Sequence, residues 1–509
     1  MARKTVVRKN RYLDSVFLML VAQRIASLPG IRDASAMLAT DANRKVLAGL
    51  GYGDGGSDPD FAGAGPNDLV LAVEGEAGAV DAVVANADAY FARGTGGAGS
   101  AAAPGPRSIA EAAAARPDCS VAVISVPGEH AAREARAAIR AGLHVFLFSS
   151  NVSVEDERSL KEEARDRGLI VMGPDCGTAY LGGAGIGFAN TVRRGPIGVV
   201  AASGTGLQEF ASLVHRAGSG ISSGIGTGGR DLSDAVGGLA AFAGIDALEA
   251  DPGTKVIAVL SKPPGAATSA SLAQRLARCP KPSVLCLLGA NSGSTLDHAV
   301  RGALRAAAVA EPGFLRPDER VLREKAAAEI AKMRPGQRCV RGLFAGGTLC
   351  YQAQAIFRDA GLRVLSNAPL HGMQPLPDPA SSREHSFIDM GGEEFVRGRP
   401  HPMIDATLRR QRLEQEARDP SVAVILLDFV LGAIASRDPA GDLLPAIRAA
   451  RGKLCFAASV CGTDEDAQSL AGQTRALEDA GVLVFPSSAQ AAGFCREAAL
   501  LLAARKEPG

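Results

Sequence analysis

The stretch Val199-Val200-Ala201-Ala202-Ser203-Gly204-Thr205-Gly206 decides the fold of this chain, because its pattern is written twice. The second copy reads Leu343-Phe344-Ala345-Gly346-Gly347-Thr348. In each copy an apolar run of strand character, beginning at Ile197 or Gly342, enters a Gly/Ser/Thr turn that opens a helical pattern, reaching Ala217 in the first and Ala360 in the second. Two further features return in the same order. The first copy continues with Gly226-Thr227-Gly228-Gly229-Arg230-Asp231 and then Asp251-Pro252-Gly253-Thr254-Lys255-Val256-Ile257-Ala258-Val259-Leu260. The second continues with Asp389-Met390-Gly391-Gly392-Glu393-Glu394 and then Asp419-Pro420-Ser421-Val422-Ala423-Val424-Ile425-Leu426-Leu427. Three features in one order mark an internal repeat of two α/β domains, one over 195–335 and one over 336–509. The second copy is longer by an insertion of about Asn367 to Glu384, rich in Pro, His and Ser.

Upstream of the repeat, residues 118–194 show continuous apolar strands (Ser120 to Val126, Val145 to Phe148, Ile170 to Met172) separated by helices over Glu129 to Ala141 and Glu155 to Arg167. Such runs predict a parallel sheet covered on both faces, with Pro127-Gly128 and Gly173-Pro174 at the strand ends where doubly wound sheets bind ligands. Residues 1–93 read as a small α/β module: helix Asp14 to Ser27, strand Ala34 to Leu38, a helix near Asp41 to Ala48, strand Asp68 to Val73 and helix Gly78 to Arg93. The intervening 94–117 opens on a Gly/Ala/Ser/Pro run that reads as a flexible linker.

Composition limits the partners. With 55 Lys+Arg against 54 Asp+Glu and 4% aromatic residues, the chain has neither the field nor the rings for extended nucleic-acid binding, so small molecules are expected. Nine cysteines without a C-x-x-C pair argue against a disulfide framework or zinc ribbon and for a reduced, cytoplasmic setting. The basic start before Val16 to Ala22 continues as an amphipathic helix rather than a signal peptide, and the apolar run Val422 to Ala435 is interrupted by Asp428 and too short to span a bilayer. Glycine, 60 of 509 residues, exceeds the usual ~7%.

The two turns are where that glycine carries chemistry. Glycine lets the backbone approach an anion, the first helical N–H groups lack partners, and the helix dipole adds partial positive charge. Ser203, Gly204 and Thr205, with Gly346, Gly347 and Thr348, are therefore the candidate phosphate-binding residues, unless Ser203 and Thr205 only cap a helix. Neither turn continues into Gly-Lys-Ser/Thr, so no Walker-type loop is present. Gly224 to Gly229 matches G-x-G-x-x-G in form only and is read as part of the repeat's second loop. There Gly228, Gly229, Gly391 and Gly392 are substrate-binding candidates, and Arg230, Asp231, Asp389 and Glu393 either contact substrate or cap helices. His371, His385 and His401 cluster around the insertion with Arg383, Arg397 and Arg399, but no H-x-x-x-H or H-x-H spacing occurs, and no metal is expected. Cys176 would need a neighbouring base to act as a nucleophile, and packing is its default role.

Taken together, Gly173-Pro174-Asp175-Cys176, Gly198 to Thr205, Gly228-Gly229 and the Asp-Pro strands resemble the α subunit of succinyl-CoA synthetase and the NDP-forming acyl-CoA synthetases. The second repeat is similar to the C-terminal domain of the synthetase β subunit, and Tyr12-Leu13-Asp14-Ser15-Val16 with Leu28-Pro29-Gly30 identifies the FdrA family, whose members carry these parts in one chain. The resemblance implies a multi-domain α/β fold: a Rossmann-like CoA-binding-type domain, then two flavodoxin-like synthetase-type domains, behind the small N-terminal module. It also implies that the two turns face each other across an anion site, and it makes Pro174 and Cys176 the CoA-region candidates.

The chain departs from the synthetase pattern in three ways. Where a Gly-His-Ala-Gly phosphohistidine loop is expected it has Gly289-Ala290-Asn291-Ser292-Gly293-Ser294-Thr295-Leu296-Asp297-His298-Ala299, so no catalytic residue is assigned and His298 is the remaining acceptor candidate. An ATP-grasp domain and a glycine-rich first Rossmann loop are not found in the 509 residues. No cofactor is certain: phosphate is expected as co-substrate, and CoA stays open. The expected function is a subunit of a phosphate-dependent carbamoyl or acyl transferase of the oxamate carbamoyltransferase type, which the family resemblance links to allantoin breakdown and to other subunits of the pathway. The alternative is an NDP-forming acyl-CoA synthetase served by a separate ATP-grasp subunit.

Overall fold

The computed structural model describes residues 2–505 apart from 12, 14, 41–42, 45–46, 49–50, 53–58, 93–104, 291–293 and 397–398. Residues 94–104 of the expected linker, part of the helix near 41–48, Tyr12, Asp14, Arg397 and the tip of the loop before His298 thus lie outside the described residues. The remainder of the expected linker holds the helix Ile109–Ala115, whose Ile109 and Ala113 pack on an apolar core, so 94–117 is not linker throughout. The chain divides into two compact units, Met1–Gly105 with Val396–Pro400, and Pro106–Phe395 with His401–Gly509.

In the first unit the fully buried strand Leu69–Gly75 lies between Ala2–Arg8 and Ile31–Leu38, all antiparallel, with the helix Ser15–Ala26 contributing Leu18, Val21 and Ile25 to the core. The single helix expected over 78–93 is instead two, Ala77–Ala85 and Ala87–Phe91. Asn86 separates them: its side-chain amide bonds the carbonyl of Ala82 at 2.8 Å, competing for a helix acceptor.

The second unit contains three sheets. Val121–Ile124, His144–Leu147 and Val171–Met172 form a short parallel sheet with the helices Gly128–Arg140 and Val154–Arg165 packed on its core residues. The boundary expected at 194 moves upstream, because the hairpin Thr178–Leu181/Ala184–Gly187 joins the next sheet through Tyr180 opposite Gly224. That sheet runs Ser283–Leu287, Val256–Ser261, Arg194–Ala201, Ile221–Gly226 and then the hairpin. The third runs Leu365–Ser366, Ser386–Asp389, Cys339–Phe344, Val422–Val430, Cys455–Cys461 and Leu483–Phe485. Around the strand that precedes each turn, the neighbours correspond one for one, so the repeat read in the sequence is a repeat of topology.

The recurrent Asp-Pro motif is turn chemistry. Asp251 accepts from Gly253 N at 2.9 Å and Asp419 from Ser421 N at 2.9 Å, each carboxylate closing an Asx turn before a buried strand. The two domains share one apolar core, in which Leu207, Phe210 and Val214 of the helix Gly204–Arg216 join Leu349, Ala353 and Phe357 of the helix Gly347–Asp359 and Phe494 of the helix Ser488–Ala504.

The Rossmann-like layer is fastened by a buried ionic cluster. Lys161, 3% exposed, donates to Glu157 at 2.7 Å, to Asp231 at 2.8 Å and to the carbonyl of Thr227 at 3.0 Å. Asp231 also caps the helix Leu239–Ala250 through the N–H groups of Ala240 and Ala241, and Arg230 bonds Glu157 and the carbonyl of Val152. Of the two roles open to Arg230 and Asp231, the structure shows the capping and pinning one. Removing one partner of a buried ionic cluster leaves an uncompensated charge. Lys161→Met is therefore expected to lower the unfolding free energy by about 3–5 kcal/mol, read by denaturant titration.

Candidate functional site

Parallel strands end along one edge of a sheet, so a turn leaving a central strand sets the next helix N-terminus at that edge. The first turn follows Arg194–Ala201 and opens Gly204–Arg216; the second follows Cys339–Phe344 and opens Gly347–Asp359. The structure presses these two helix starts together. Ser203 Oγ accepts from Gly206 N at 2.9 Å and is hydrogen-bonded to Thr348 Oγ1 across the domain boundary. A Cβ placed on Gly346 would lie 3.1 Å from Thr205 Cβ. All six turn residues thus fall in one cluster, with Ser203, Gly204 and Gly347 half-buried and the other three buried.

The repeat suggests two equivalent anion cradles, and this expectation is corrected. Asp428, on the buried strand Val422–Val430, accepts from Ala345 N at 2.8 Å and Gly346 N at 2.7 Å and is held by Arg409 Nη2 at 2.6 Å. Burial raises the Asp428 carboxyl and lowers the Arg409 guanidinium, and the mutual contact together with the two N–H groups opposes both shifts. The second turn is therefore already occupied by a carboxylate of the chain itself. Asp389 lies against Gly347 so closely that a Cβ there would collide with its Oδ2, while its Oδ1 accepts from Gly391 N at 2.9 Å. Burial pushes the Asp389 carboxyl up to about 6, opposed by Lys262 and by the Gly391 N–H and reinforced by Asp428 and Glu394.

The first turn is open by contrast. Around the Cβ position of Gly204 the nearest atoms are Gly177 Cα at 3.7 Å and Thr178 Oγ1 at 3.8 Å. Thr178 is fully buried and its Oγ1 has no hydrogen-bond partner among the described residues.

The other candidates distribute as follows. Gly228, with φ +85°, packs on the carbonyl of Pro174, and Gly229 is exposed with open space around it. Gly391 lies beside the second turn, its Cβ position 2.7 Å from His401 Nε2 and 3.1 Å from the carbonyl of Ala345. Gly392 donates to the carbonyl of Asp389 at 3.3 Å. Burial pushes the Cys176 thiol up to about 12, and it contacts the carbonyls of Thr178 and Gly226, so packing is its role. His298 is not brought to the turns. It lines a cavity of about 430 Å³ with Ile356, Asp359 and Ala360, at the opposite end of the helix that the second turn opens. His371, His385 and His401 do not assemble either. His385 accepts from Val340 N, His371 is exposed, and His401, which burial pushes down to about 4, stacks on Phe188 at 5.5 Å.

Lys262, Thr178 and Arg409, which the structure places near the turns or their carboxylates, were not legible from the sequence. The available signals were slight: Lys262 directly follows an apolar strand, and Asp428 is a charge inside an otherwise continuous apolar run.

A family model described as CoA-ligase matches residues 343–499, and one described as AllF, heavy metal-associated domain, matches residues 1–105. The first Cys and His of the chain stand at 119 and 130, so the matched N-terminal segment contains neither of these heavy-metal ligands. The chain is 41% identical to an uncharacterised protein, YahF, of Escherichia coli (strain K12), over 98% of each. It is 30% identical to the α subunit of an ADP-forming succinate–CoA ligase of Methanothermobacter thermautotrophicus, over 36% of this chain and 62% of that protein. Among solved structures it is similar to a Ca. Korarchaeum cryptofilum dinucleotide-forming acetyl-coenzyme A synthetase 1 in complex with phosphate and ADP, at 17% identity and a TM-score of 0.29, over 75% of this chain and 82% of that one. Among the described residues no helix is long and apolar enough to cross a membrane.

The raised carboxyls have a consequence for stability. Besides Asp389, Glu209 on the first helix is 2% exposed and pushed up to about 7 by burial, with Asp297 adding to the effect. A carboxyl whose folded pKa lies above its unfolded value stabilises fully below the unfolded pKa and loses that contribution as pH rises through the folded one. Unfolding free energy is therefore expected to fall between pH 5 and pH 8, by on the order of 2–3 kcal/mol for Glu209 alone, and Glu209→Gln is expected to flatten the profile. Denaturation midpoints measured across that range check it.

Proposed function

The chain belongs to the FdrA family, and we propose that it is the acyl-transfer subunit of an acid–thiol-ligase-type enzyme, in the class of succinyl-CoA ligase, holding a phosphate or acyl phosphate at the first of its two abutting helix N-termini. One observation carries this reading: the first turn is open beside Gly204, its leading N–H groups lie beyond the reach of any helix carbonyl, and the partner turn presses against it. When the carbon–oxygen bond of an acyl phosphate breaks, the electron pair stays on the departing phosphate while the nucleophile adds to the carbonyl carbon. Donors already oriented toward that phosphate stabilise the charge as it forms. Acid, phosphate and acceptor are small molecules, and a separate ATP-grasp subunit supplies the nucleotide.

Coenzyme A is the acceptor that the ligase reading requires. In the Rossmann-like layer the Cβ position of Gly128 is filled by backbone oxygens of Ser150 and Asn151, so that turn offers no open approach for a diphosphate. A second reading, direct phosphate-dependent carbamoyl transfer of the oxamate carbamoyltransferase type, is favoured by the place of His298. With that side chain at the far end of the helix and no histidine in the sequence from Gly289 to Thr295, bound phosphate would attack the carbonyl itself without a phosphoenzyme.

Calorimetric titration with inorganic phosphate and acetyl phosphate is expected to give a dissociation constant of about 1 mM or tighter. Gly204→Ala should weaken it at least about tenfold, a loss of roughly 1.4 kcal/mol, while the melting temperature holds, since the methyl fits the turn but occupies the anion's space. Gly347→Ala is a poor substitute because its methyl strikes Asp389. Unchanged binding by Gly204→Ala would sink the reading. Thioester formed only with ATP, acid, CoA and an ATP-grasp partner supports the ligase; carbamoyl phosphate made from phosphate without ATP or CoA selects the second reading.

A further inference from the structure

Resting on the phosphate site described above, we propose that Lys262 and Thr178 complete it, Lys262 as the cation that meets the anion's charge and Thr178 as the hydroxyl that donates to it. Lys262 follows the strand Val256–Ser261, whose Leu260 pairs with Ala201 and accepts from Ala202 N at 3.0 Å. It therefore leaves the sheet about one strand spacing, ~4.8 Å, from the backbone that carries Ser203. Its Nζ lies 5.0 Å from the ring centroid of Tyr351, at the start of the second turn of the opposing helix, and its charge acts on Asp389, whose carboxylate abuts Gly347. These landmarks, one on each side and one at the second turn, put the ammonium at the mouth between the two helix starts.

Lys262 is half-buried and makes no hydrogen bond or ion pair among the described residues. Three cations buried deeper in this unit are ion-paired: Lys161 with Glu157 and Asp231, Arg341 with Glu416 and Asp419, Arg409 with Asp428. The carboxyls of Asp389 and Asp175 feel its charge but neither pairs with it in contact, so the ammonium keeps its donors free for an anion placed between them. Thr178 supplies an independent sign. Its hydroxyl is fully buried and unpartnered, and it lies 3.8 Å from the Cβ position of Gly204 at the start of the first helix. Buried hydroxyls are ordinarily hydrogen-bonded, and a valine of the same shape would fill this position without leaving a hydroxyl unsatisfied. A cation, a hydroxyl and the first N–H groups of a helix converge on the chemistry of a tetrahedral oxyanion, either free phosphate or the phosphoryl end of an acyl phosphate.

Calorimetric titration of the full chain with inorganic phosphate and, separately, acetyl phosphate tests this, and the tighter of the two identifies the source of the phosphoryl group. Lys262→Met is expected to weaken binding at least tenfold and to reduce its salt dependence, and Lys262→Arg to stay within about threefold of the parent. Thr178→Val is expected to weaken binding about fivefold while the melting temperature of the unliganded protein holds or rises, whereas a purely structural hydroxyl would lower it. If Lys262→Met fails to fold, Lys262→Arg decides by retaining or losing affinity. Parent-like binding by Lys262→Met and Thr178→Val, with Gly204→Ala still impaired, overturns this proposal and leaves the phosphate site standing. Failure of the parent chain to bind either ligand overturns both.

Discussion

Two helix N-termini, each carrying about half a positive charge, are pressed against each other where Ser203 meets Thr348. Like ends of two dipoles repel, so this junction persists only because something else holds it. The shared apolar core along Leu207, Phe210, Leu349 and Ala353 supplies the attraction, and Asp428 and Asp389 supply negative charge at the second turn. The junction is thus balanced on one side and left short of negative charge on the other. Under the proposed function that imbalance is what an anion would meet, and helix ends rather than a net charge of +1 would do the binding.

Duplication built the junction, and divergence made it useful. In the first copy the acid of the G-G loop, Asp231, is committed to Lys161 and to a helix cap, which fastens the Rossmann-like layer. In the second copy the corresponding loop places Asp389 beside the turn, half-buried and raised toward neutrality. Glycine serves both outcomes. At Gly347 the missing side chain makes room for a carboxylate of the chain, and at Gly204 it leaves room beside the helix start.

The strands Val256–Ser261 and Val422–Val430 and the two turn helices were legible because continuous apolar runs and Gly/Ser/Thr helix starts are local signals, whereas the buried strand Ile221–Gly226, whose Ser and Gly residues carry no apolar run, was read in part as loop. Local reading failed where a distant partner decided the outcome. The hairpin Thr178–Leu181/Ala184–Gly187 carries no mark of which sheet it will join; pairing of Tyr180 with Gly224 settles that. Asn86 splits a helix through a hydrogen bond to Ala82 that competes with a weak propensity signal. At the junction, Ser203 and Thr348 were named from sequence, but Lys262, Thr178 and Arg409 come near it through neighbours remote in the chain.

The sequence by itself determined that this is an α/β protein of the FdrA family, with one unit duplicated and a helix start after each central strand, because hydrophobic periodicity and turn chemistry are properties of neighbouring residues. Only the tertiary structure decided that the two starts are unequal. Whether a turn's N–H groups meet a ligand or the chain's own carboxylate depends on a residue 82 positions away at Asp428, and on which strand ends lie beside it. Electrostatic balance at a junction is a sum over groups brought together by folding, and no local stretch contains that sum.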